Sequence, residues 1–157
     1  MLDLYSTGPQ LYSQAPFFSL NDQDHCLHDL DTLMGKTALL LCFIENIWQA
    51  SSVRRVLLLE RFHPQLSAQG TAAALVLRND ASTLKGFQVS SPIPVRFPLL
   101  ADPEGVIHNL YNMKSSPGLI LVDVSKIIRY KWFMPDKDAW PKLSEVLNVV
   151  QTLQTAV

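Results

Sequence analysis

The sequence predicts an α/β fold in which helices cover both faces of a mixed central sheet. Two continuous apolar runs, residues 37–44 and 71–77, are typical of strands buried on both sides. A helical pattern follows each run, which indicates β-α-β crossovers and parallel strands. A strand pair within 118–133 and a closing helix add antiparallel strands. At 157 residues, the chain is long enough for a single such domain, with its core at about 15–155, and too short for two.

Local signals place the elements in order. A polar turn between two short alternating segments predicts an N-terminal β-hairpin, and Gly35 ends the helical turn that follows it. Pro64 ends or kinks the first long helix. Asp80, Asp102 and Asp138 are expected to be N-caps, and Pro103 then lies in the first turn of its helix. The predicted elements are a hairpin of 16–20 and 25–28, a helical turn at 29–34, strands at 37–44, 71–77, 96–99, 118–123 and 127–133, and helices at 48–63, 80–87, 102–113 and from 138 onward.

Two of these helices have a predicted apolar face. The helix after Asp102 is expected to bury Val106, Ile107, Leu110 and Tyr111. The closing helix is expected to lie on the sheet through Trp140, Leu143, Val146, Leu147, Val150 and Leu153. The order of all these elements is that of a thioredoxin-like fold.

Charge and hydropathy exclude several classes of partner. The chain has 13 basic and 14 acidic residues, a formal net charge of -1 and no block of like charge, so neither nucleic acid nor an anionic membrane is an expected partner. The longest apolar run, 37–44, is less than half of the ~20 residues that a membrane span needs. The first residues do not resemble a secretory signal, and a cytoplasmic location is the expectation. Cys26 and Cys42 fit neither a CxxC pair nor a zinc site, so both are expected to be thiols.

Four segments are in register with the redoxin group, the peroxiredoxin or alkyl hydroperoxide reductase/thiol-specific antioxidant (AhpC/TSA) family. Residues 15–20, APFFSL, resemble the family's opening APDFxL, and residues 30–41, LDTLMGKTALLL, resemble LxxLxGKxVVLxF. Residues 60–70 resemble the end of the family's first long helix. Residues 97–105, FPLLADPEG, with Tyr111 resemble FPLLSDPxGxxxxxY, and residues 117–123, PGLILVD, resemble the strand RGLFIID. The resemblance covers about 15–155 and implies the thioredoxin-like fold.

The resemblance also locates the family's active site, where this chain has no sulfur. Peroxiredoxins place the peroxide-attacking cysteine in PxxxTxxC, at the start of the helix after the central strand. Here that position falls on Ser51 or Ser52, depending on a one-residue register. Compared with the WCxxC of thioredoxin-like proteins, Trp48 matches the tryptophan, while Gln49 and Ser52 replace the two cysteines. A serine hydroxyl forms neither a sulfenic acid nor a disulfide.

The family's second catalytic position also differs. Peroxiredoxins use an arginine at the beginning of the RGLFIID strand to polarise the peroxide, and the aligned residue is Pro117. Thioredoxin-type members have a cis-proline there, beside a backbone that pairs with an extended peptide. Because Ser116 and Pro117 resemble that feature, we predict a cis bond between them.

Other candidate residues have simpler interpretations. Arg54 and Arg55, with the N–H groups of residues 50–53, could hold an anion, although a solvated helix face is the favoured interpretation. Cys42 is expected to pack in the core.

The histidines suggest neither a metal site nor a hydrolase. On a strand, His25 points away from Cys26 and His28, so too few ligands share a face for a metal site, and no cofactor is expected. His63 is placed at a helix end and His108 on the helix after Asp102. No acid is spaced to support either histidine, which argues against a serine hydrolase at Ser51 or Ser52.

The sequence therefore favours a redoxin that does not catalyse thiol chemistry but binds or regulates. Its expected binding groove comprises Trp48, Ser51, Ser52, Arg54, Arg55, Ser116 and Pro117, and its expected ligand is a peptide, a thiol-bearing protein or a small anion. The alternative is an antioxidant thiol oxidoreductase that reduces peroxides or disulfides through Cys42 or Cys26. The resemblance also allows a homodimer, which is common in this family.

Overall fold

The computed structural model describes residues 7–114, 116–133 and 141–155. In chain order, its strands are β1 (Ser19–Asn21), β2 (Leu27–Asp29), β3 (Ala38–Ile44), β4 (Thr71–Leu77), β5 (Leu99–Ala101), β6 (Gly118–Asp123) and β7 (Ile128–Phe133). Its helices are α1 (Leu30–Leu33), α2 (Ala50–Ala68), α3 (Ala81–Ser90), α4 (Val106–Leu110) and α5 (Leu143–Thr155). Strands β1 and β2 form the predicted N-terminal hairpin, and the other strands form one sheet in the order β5-β4-β3-β6-β7.

Strand β3 is the centre of this sheet, and all seven of its residues are buried. It pairs in parallel with β4, where Ala38 is opposite Thr71, and antiparallel with β6, where Ala38 is opposite Asp123. Because side chains alternate along a strand, β3 contributes Leu40 to the core on one face and Leu39 to the core on the other. The mixed sheet with a parallel centre confirms the predicted fold class.

Different helices cover the two faces. On one face, the core includes Val56 and Leu59 of α2, Leu84 of α3, and Val146 of α5. On the other, α1, α4 and the segment before β1 contribute Leu30, Ile107, Tyr111 and Phe18. Helix α2 therefore lies against the sheet with its first turn beside the carboxyl end of β3.

Pro64 was expected to end or to kink the first long helix. Helix α2 does not end there but continues to Ala68. Proline removes one N–H donor, which in this helix would have served the carbonyl of Glu60. Pro64 itself is exposed, whereas Phe62 and Leu66 on either side of it are buried in the core. Burial of those two side chains favours a continuous helix over a stop. His63 consequently lies within the helix and not at its end.

Helix α4 begins later than predicted. Gly105, with a φ of 71°, is its N-cap, and Asp102 is not. That left-handed conformation suits glycine, and a Cβ there would lie 2.7 Å from the Arg78 guanidinium. The later start changes which residues face the core: Ile107 is buried as expected, but Val106 and Leu110 are exposed.

The Asp102 carboxylate instead forms a buried ion pair. Its Oδ2 lies 2.7 Å from Nδ1 of His108, and it also accepts hydrogen bonds from the backbone N–H groups of Ile107 and His108. Burial alone would raise the pKa of Asp102, but these hydrogen bonds hold that pKa below its ordinary value. The expectation that no acid supports either histidine was therefore wrong for His108.

Other predicted boundaries differ by a few residues. Strand β5 begins at Leu99 rather than at residue 96, and α2 begins at Ala50 rather than at residue 48. Asp80 caps α3 as predicted, since its Oδ1 accepts from the Thr83 N–H at 2.7 Å. The predicted cap Asp138 and Trp140 lie outside the described residues. Within the described ranges, no helix combines the length and the apolarity needed to cross a bilayer.

The predicted cis bond before Pro117 was wrong, because the peptide bonds of the described residues are all trans. A prolyl bond favours trans by about 0.5–1 kcal/mol unless its surroundings impose cis. Here the Ser116 N–H donates to the Met113 carbonyl at 3.0 Å, which closes a turn just before the trans bond.

We predict that Asp102→Asn lowers the free energy of unfolding at neutral pH by about 3 kcal/mol, because it removes one partner of a buried ion pair. The control Asp31→Asn loses only a surface pair with Lys126 and should cost less than about 1 kcal/mol. Urea unfolding measures both. Equal costs for the two variants would contradict the assignment.

The same ion pair predicts a pH dependence. Because the pKa of Asp102 is lowered in the folded chain, its stabilisation is complete above the ordinary value of 3.8 and is lost as the pH falls through the folded-state pKa. The difference in unfolding free energy between the intact chain and Asp102→Asn should therefore shrink below about pH 4. A difference that grows on acidification would contradict this account.

Candidate functional site

The loop between β3 and α2 forms at the carboxyl end of the central strand. Two asparagine side chains hold it: Asn79 Oδ1 accepts from the Ile47 N–H at 2.9 Å, and Asn46 Oδ1 accepts from the Trp48 N–H at 3.0 Å. Crevices at the carboxyl ends of strands are the usual ligand sites of open α/β sheets. The fold therefore places a candidate site in front of the first turn of α2.

A cavity of about 420 Å³ occupies this position, and we call it the α2 cavity. Its lining includes five of the residues that the sequence placed at the site, which are Gln49, Ser51, Ser52, Arg55 and Pro117. Ile44 and Glu45 also line it. The sequence analysis missed these two residues, although their position directly after a buried strand was a signal for them.

The N-terminus of α2 leaves hydrogen-bond donors at this cavity. Its N-cap, Gln49, makes no side-chain capping bond, but the Gln49 carbonyl accepts from the N–H groups of Ser52 at 3.0 Å and Val53 at 3.1 Å. Within the described residues, the N–H groups of Ala50 and Ser51 have no acceptor. Two of the four donors expected at residues 50–53 are thus available at the positive end of the helix dipole, and of these Ser51 lines the cavity whereas Ala50 does not.

Ser52 provides a further unpartnered group. Its side chain is 1% exposed, and its Oγ has no hydrogen-bond partner within the described part of the chain. A buried hydroxyl without a partner costs about 1–3 kcal/mol. Since Ser52 lines the α2 cavity, a ligand there would satisfy this hydroxyl and recover that free energy.

The two arginines on this helix have different surroundings. Arg55 is 5% exposed and lines the α2 cavity, whereas Arg54 is exposed and lines a separate surface depression with Arg61. The helical rotation of 100° per residue separates these neighbours. Only Arg55 therefore brings a positive charge to the candidate site.

Trp48 and Ser116 do not line the α2 cavity. Trp48 is 57% exposed and packs edge-on against Phe87, with ring centroids 6.1 Å apart. Ser116 precedes Pro117 but is not part of the lining.

Glu45 gives the α2 cavity an acceptor beside its donors. Its Oε2 lies 3.3 Å from Nε of Arg78, whereas its Oε1 is buried and without a hydrogen-bond partner within the described ranges. The lining therefore combines unsatisfied donors at the start of α2 with an unsatisfied carboxylate oxygen. A ligand that satisfies both the donors and the carboxylate oxygen has an acceptor group and a donor group.

The His108 ring supports this site but does not activate a serine. Its Nδ1 faces the Asp102 carboxylate, and its Nε2 lies 3.0 Å from the carbonyl oxygen of Ile44. Both neighbours are acceptors, so the two hydrogen bonds exist together only when both ring nitrogens are protonated. Because the Nε2 bond goes to Ile44 and the Ser52 hydroxyl has no partner, these residues do not form a catalytic triad.

The two cysteines lie away from the α2 cavity. Cys42 is fully buried in the core around β3, and burial raises the pKa of its thiol far above the ordinary range. Cys26 is exposed beside the turn of the β1–β2 hairpin, where its Sγ lies 3.8 Å from the carbonyl oxygen of Asp24. Neither sulfur is among the atoms that line the cavity.

The two histidines of the hairpin region have separate surroundings. The Nε2 atom of His28 lies 2.7 Å from the Asp22 carboxylate, and His25 occupies the hairpin turn with a φ of 60°. A search of the described residues finds no group of three or more His, Cys, Asp or Glu side chains placed to bind a metal ion.

Comparisons with known proteins identify the family from one match and the fold from several solved structures. The model of the AhpC/TSA family matches residues 11–131. No curated protein sequence matches the chain. Two solved structures that it resembles are peroxiredoxins: the reduced 2-Cys peroxiredoxin of Plasmodium vivax, at 15% identity and a TM-score of 0.78, covers 92% of this chain and 82% of its own. The yeast mitochondrial 1-Cys peroxiredoxin, at 17% identity and a TM-score of 0.80, covers 93% and 76% respectively.

A third similar structure is described as a thiol:disulfide interchange protein and not as a peroxiredoxin. It is a putative thiol:disulfide interchange protein DsbE from Chlorobium tepidum, at 18% identity and a TM-score of 0.71, which covers 92% of this chain and 98% of its own. At these identities the likeness establishes the thioredoxin-like fold and leaves the reaction open.

We predict that a water-soluble disulfide reagent such as dithionitrobenzoate modifies Cys26 in the folded chain and leaves Cys42 unmodified, because only the first sulfur is exposed. In denaturant both thiols should react. The matched variant Cys26→Ser should show no fast-reacting thiol when folded. Rapid modification of Cys42 in that folded variant would contradict the burial described above.

Proposed function

We propose that this chain, which belongs to the AhpC/TSA family, is a non-catalytic member that binds a small carboxylate-bearing ligand, such as the carboxyl end of a peptide, in the α2 cavity. The observation that supports the proposal most directly is the Ser52 hydroxyl, which is buried, lines the cavity and has no partner in the described part of the chain. A buried hydroxyl without a partner is destabilising, so its retention is better explained by a ligand than by the fold.

The absence of sulfur from the cavity lining supports binding rather than thiol chemistry. Peroxide reduction by a cysteine requires an ionised thiol that forms a sulfenic acid, and a hydroxyl does not replace it in that step. Ser51 and Ser52 lie at the first turn of α2, where the N–H groups and the helix dipole would favour a thiolate. The same N–H groups and dipole favour a bound carboxylate.

Glu45 favours a ligand that has a hydrogen-bond donor in addition to its negative charge. A simple anion would accept hydrogen bonds from Ser51 and Ser52, but it would leave Oε1 of Glu45 unsatisfied and would be repelled by its charge. A peptide end has a carboxylate and, on the same residue, an amide N–H that donates. It therefore complements both sets of groups. A volume of about 420 Å³ suits a ligand of this size.

Thiol oxidoreductase activity through Cys26 is the second candidate, because its sulfur is exposed. That sulfur lies 3.8 Å from the carbonyl oxygen of Asp24 and outside the α2 cavity. We therefore rank this function below ligand binding. A cytoplasmic location and a homodimer stay predictions.

We predict that N-acetylglycine, which has a carboxylate next to an amide N–H, binds the intact chain and shifts the amide resonances of Ala50 and Ser51 in a ¹H–¹⁵N correlation spectrum. N-acetylglycinamide lacks the carboxylate and N-acetylsarcosine lacks the N–H, so each should bind more weakly. Ser52→Ala should weaken binding of N-acetylglycine at least about tenfold, because one hydrogen bond to a charged group is lost.

The matched control for Ser52→Ala is Ser144→Ala, which changes an exposed serine of α5. It should leave the affinity unchanged. In the absence of ligand, Ser52→Ala should also raise the free energy of unfolding by up to about 1 kcal/mol, because it removes an unsatisfied buried hydroxyl. The proposal would be refuted if the intact chain and Ser52→Ala bound N-acetylglycine with equal affinity. It would also be refuted if the ligand shifted amide resonances elsewhere but not those of the first turn of α2.

A further inference from the structure

A second and larger cavity lies at the opposite end of the sheet, at the starts of β3 and β4, and we call it the strand-start cavity. Its volume is about 600 Å³, and it shares no lining residue with the α2 cavity. Helix α2 contributes to both: Ser52 lines the α2 cavity and Ser67 lines the strand-start cavity, about 22 Å apart at 1.5 Å per residue. The two cavities are separate sites.

Close packing of two backbone segments positions this cavity. Gly35 and Gly70 both line it, and the Thr37 N–H donates to the Gly70 carbonyl at 2.8 Å. A Cβ at Gly35 would lie 2.5 Å from that carbonyl oxygen, which is closer than any side chain tolerates. The two glycines allow β3 and β4 to start side by side, and the cavity opens beside that start.

Three lining residues of the strand-start cavity, from three different elements, each have a buried polar atom with no hydrogen-bond partner among the described residues. These atoms are Oγ1 of Thr71 on β4, Nδ1 of His28 on β2 and Nδ1 of His63 on α2. Thr71 is 3% exposed and lies at the start of β4, beside Gly70. Three unsatisfied polar atoms among the lining residues of one cavity are unusual, because native interiors pair almost all such groups.

The charged groups around the cavity are predominantly positive. Lys36 and Arg96 line it, and its described lining includes no carboxylate. The Lys36 ammonium has no ion-pair partner in the described part of the chain. Arg96 donates through Nε to the Glu60 carboxylate, which leaves its two terminal nitrogens available.

Two groups of opposite sign lie behind the lining. The Asp22 carboxylate binds Nε2 of His28, which places a proton on that nitrogen and leaves Nδ1 facing the cavity. The carboxyl end of α2 presents carbonyl groups, but those of Leu66 and Ser67 already accept from the N–H groups of Gln69 and Gly70 at 3.0 Å. The donors that remain for a ligand are the Thr71 hydroxyl, the Lys36 ammonium and the terminal nitrogens of Arg96.

We propose that the strand-start cavity is a binding site for a small phosphorylated or sulfated molecule. A phosphate or sulfate group offers several acceptor oxygens to the Thr71 hydroxyl, the Lys36 ammonium and the Arg96 guanidinium. The cavity is several times larger than a single phosphate group, and the apolar side chains of Leu33, Phe97 and Pro98 line the rest of it. An organic substituent on the phosphate would pack there. This proposal does not depend on the ligand of the α2 cavity.

Inorganic phosphate and phenyl phosphate are the probes, titrated into the full chain by calorimetry and by ¹H–¹⁵N correlation spectra at an ionic strength held constant with chloride. Both are expected to bind, phenyl phosphate more tightly, and to shift the amide resonances of Gly35, Gly70 and Thr71. Lys36→Met should weaken phosphate binding about tenfold, because it removes a charge-assisted hydrogen bond. Thr71→Val, which is nearly isosteric, should weaken it several-fold.

Lys142→Met is the matched control, because it removes the same charge from an exposed lysine outside both cavities. It should bind phosphate like the intact chain, and so should Ser52→Ala. Because Lys36 is exposed, its replacement tests the site even if Thr71→Val does not fold. Absence of saturable binding, or equal loss in Lys36→Met and Lys142→Met, would overturn the proposal. Loss in Ser52→Ala alone would also overturn it, by locating the phosphate in the α2 cavity.

Discussion

The buried contact between Asp102 and His108 is the constraint on which the α2 cavity depends. The His108 ring reaches from α4 to the carbonyl of Ile44, the last residue of β3, while the Asp102 N–H donates to the carbonyl of Leu77, the last residue of β4, at 2.8 Å. Two residues thus connect the carboxyl ends of the strands that border the site. A charged pair is costly to bury, and it persists here because each atom of the pair that faces the interior has a partner.

That connection determines where the loop to α2 begins and hence which groups meet in the cavity. Glu45 follows Ile44 directly, and α2 starts five residues further on at Ala50. The helix contributes the free N–H group of Ser51 and the Ser52 hydroxyl to the lining of the same cavity. In a redoxin fold these are the groups that favour a negative charge at the first turn, and they do so whether the charge is on a thiolate or on a ligand.

The sequence predicted the layout of the sheet and the position of the α2 cavity, because both depend on local patterns. Apolar runs predict β3 and β4, and the spacing of the family motifs predicts Ser51, Ser52 and Pro117. The sequence did not predict the N-cap of α4. The expected cap was Asp102, but its carboxylate pairs with His108, and Gly105 with its positive φ is the N-cap. The sequence also did not predict that α2 continues past Pro64. Burial of Phe62 and Leu66 stabilises the helix more than the missing N–H of Pro64 destabilises it.

Features that depend on contacts between residues distant in the chain could not be predicted from the sequence. The support of His108 by Asp102 links residues six positions apart across a turn, and the Ile44 carbonyl that completes it is 64 residues away. The phase of α2 decided that Arg55 and not Arg54 lines the α2 cavity. The strand-start cavity combines side chains from β2, α2 and β4 with the segments before β3 and β5, so no single stretch of sequence predicts it.

The central claim is that the first turn of α2 holds hydroxyl oxygen where the family's reaction needs sulfur, so this chain binds without thiol turnover. Steady-state consumption of hydrogen peroxide with dithiothreitol tests it most directly, in the intact chain and in Cys26→Ser and Cys42→Ala. The account predicts that all three proteins consume peroxide no faster than buffer with reductant. Turnover by the intact chain that disappears in either cysteine variant would contradict it.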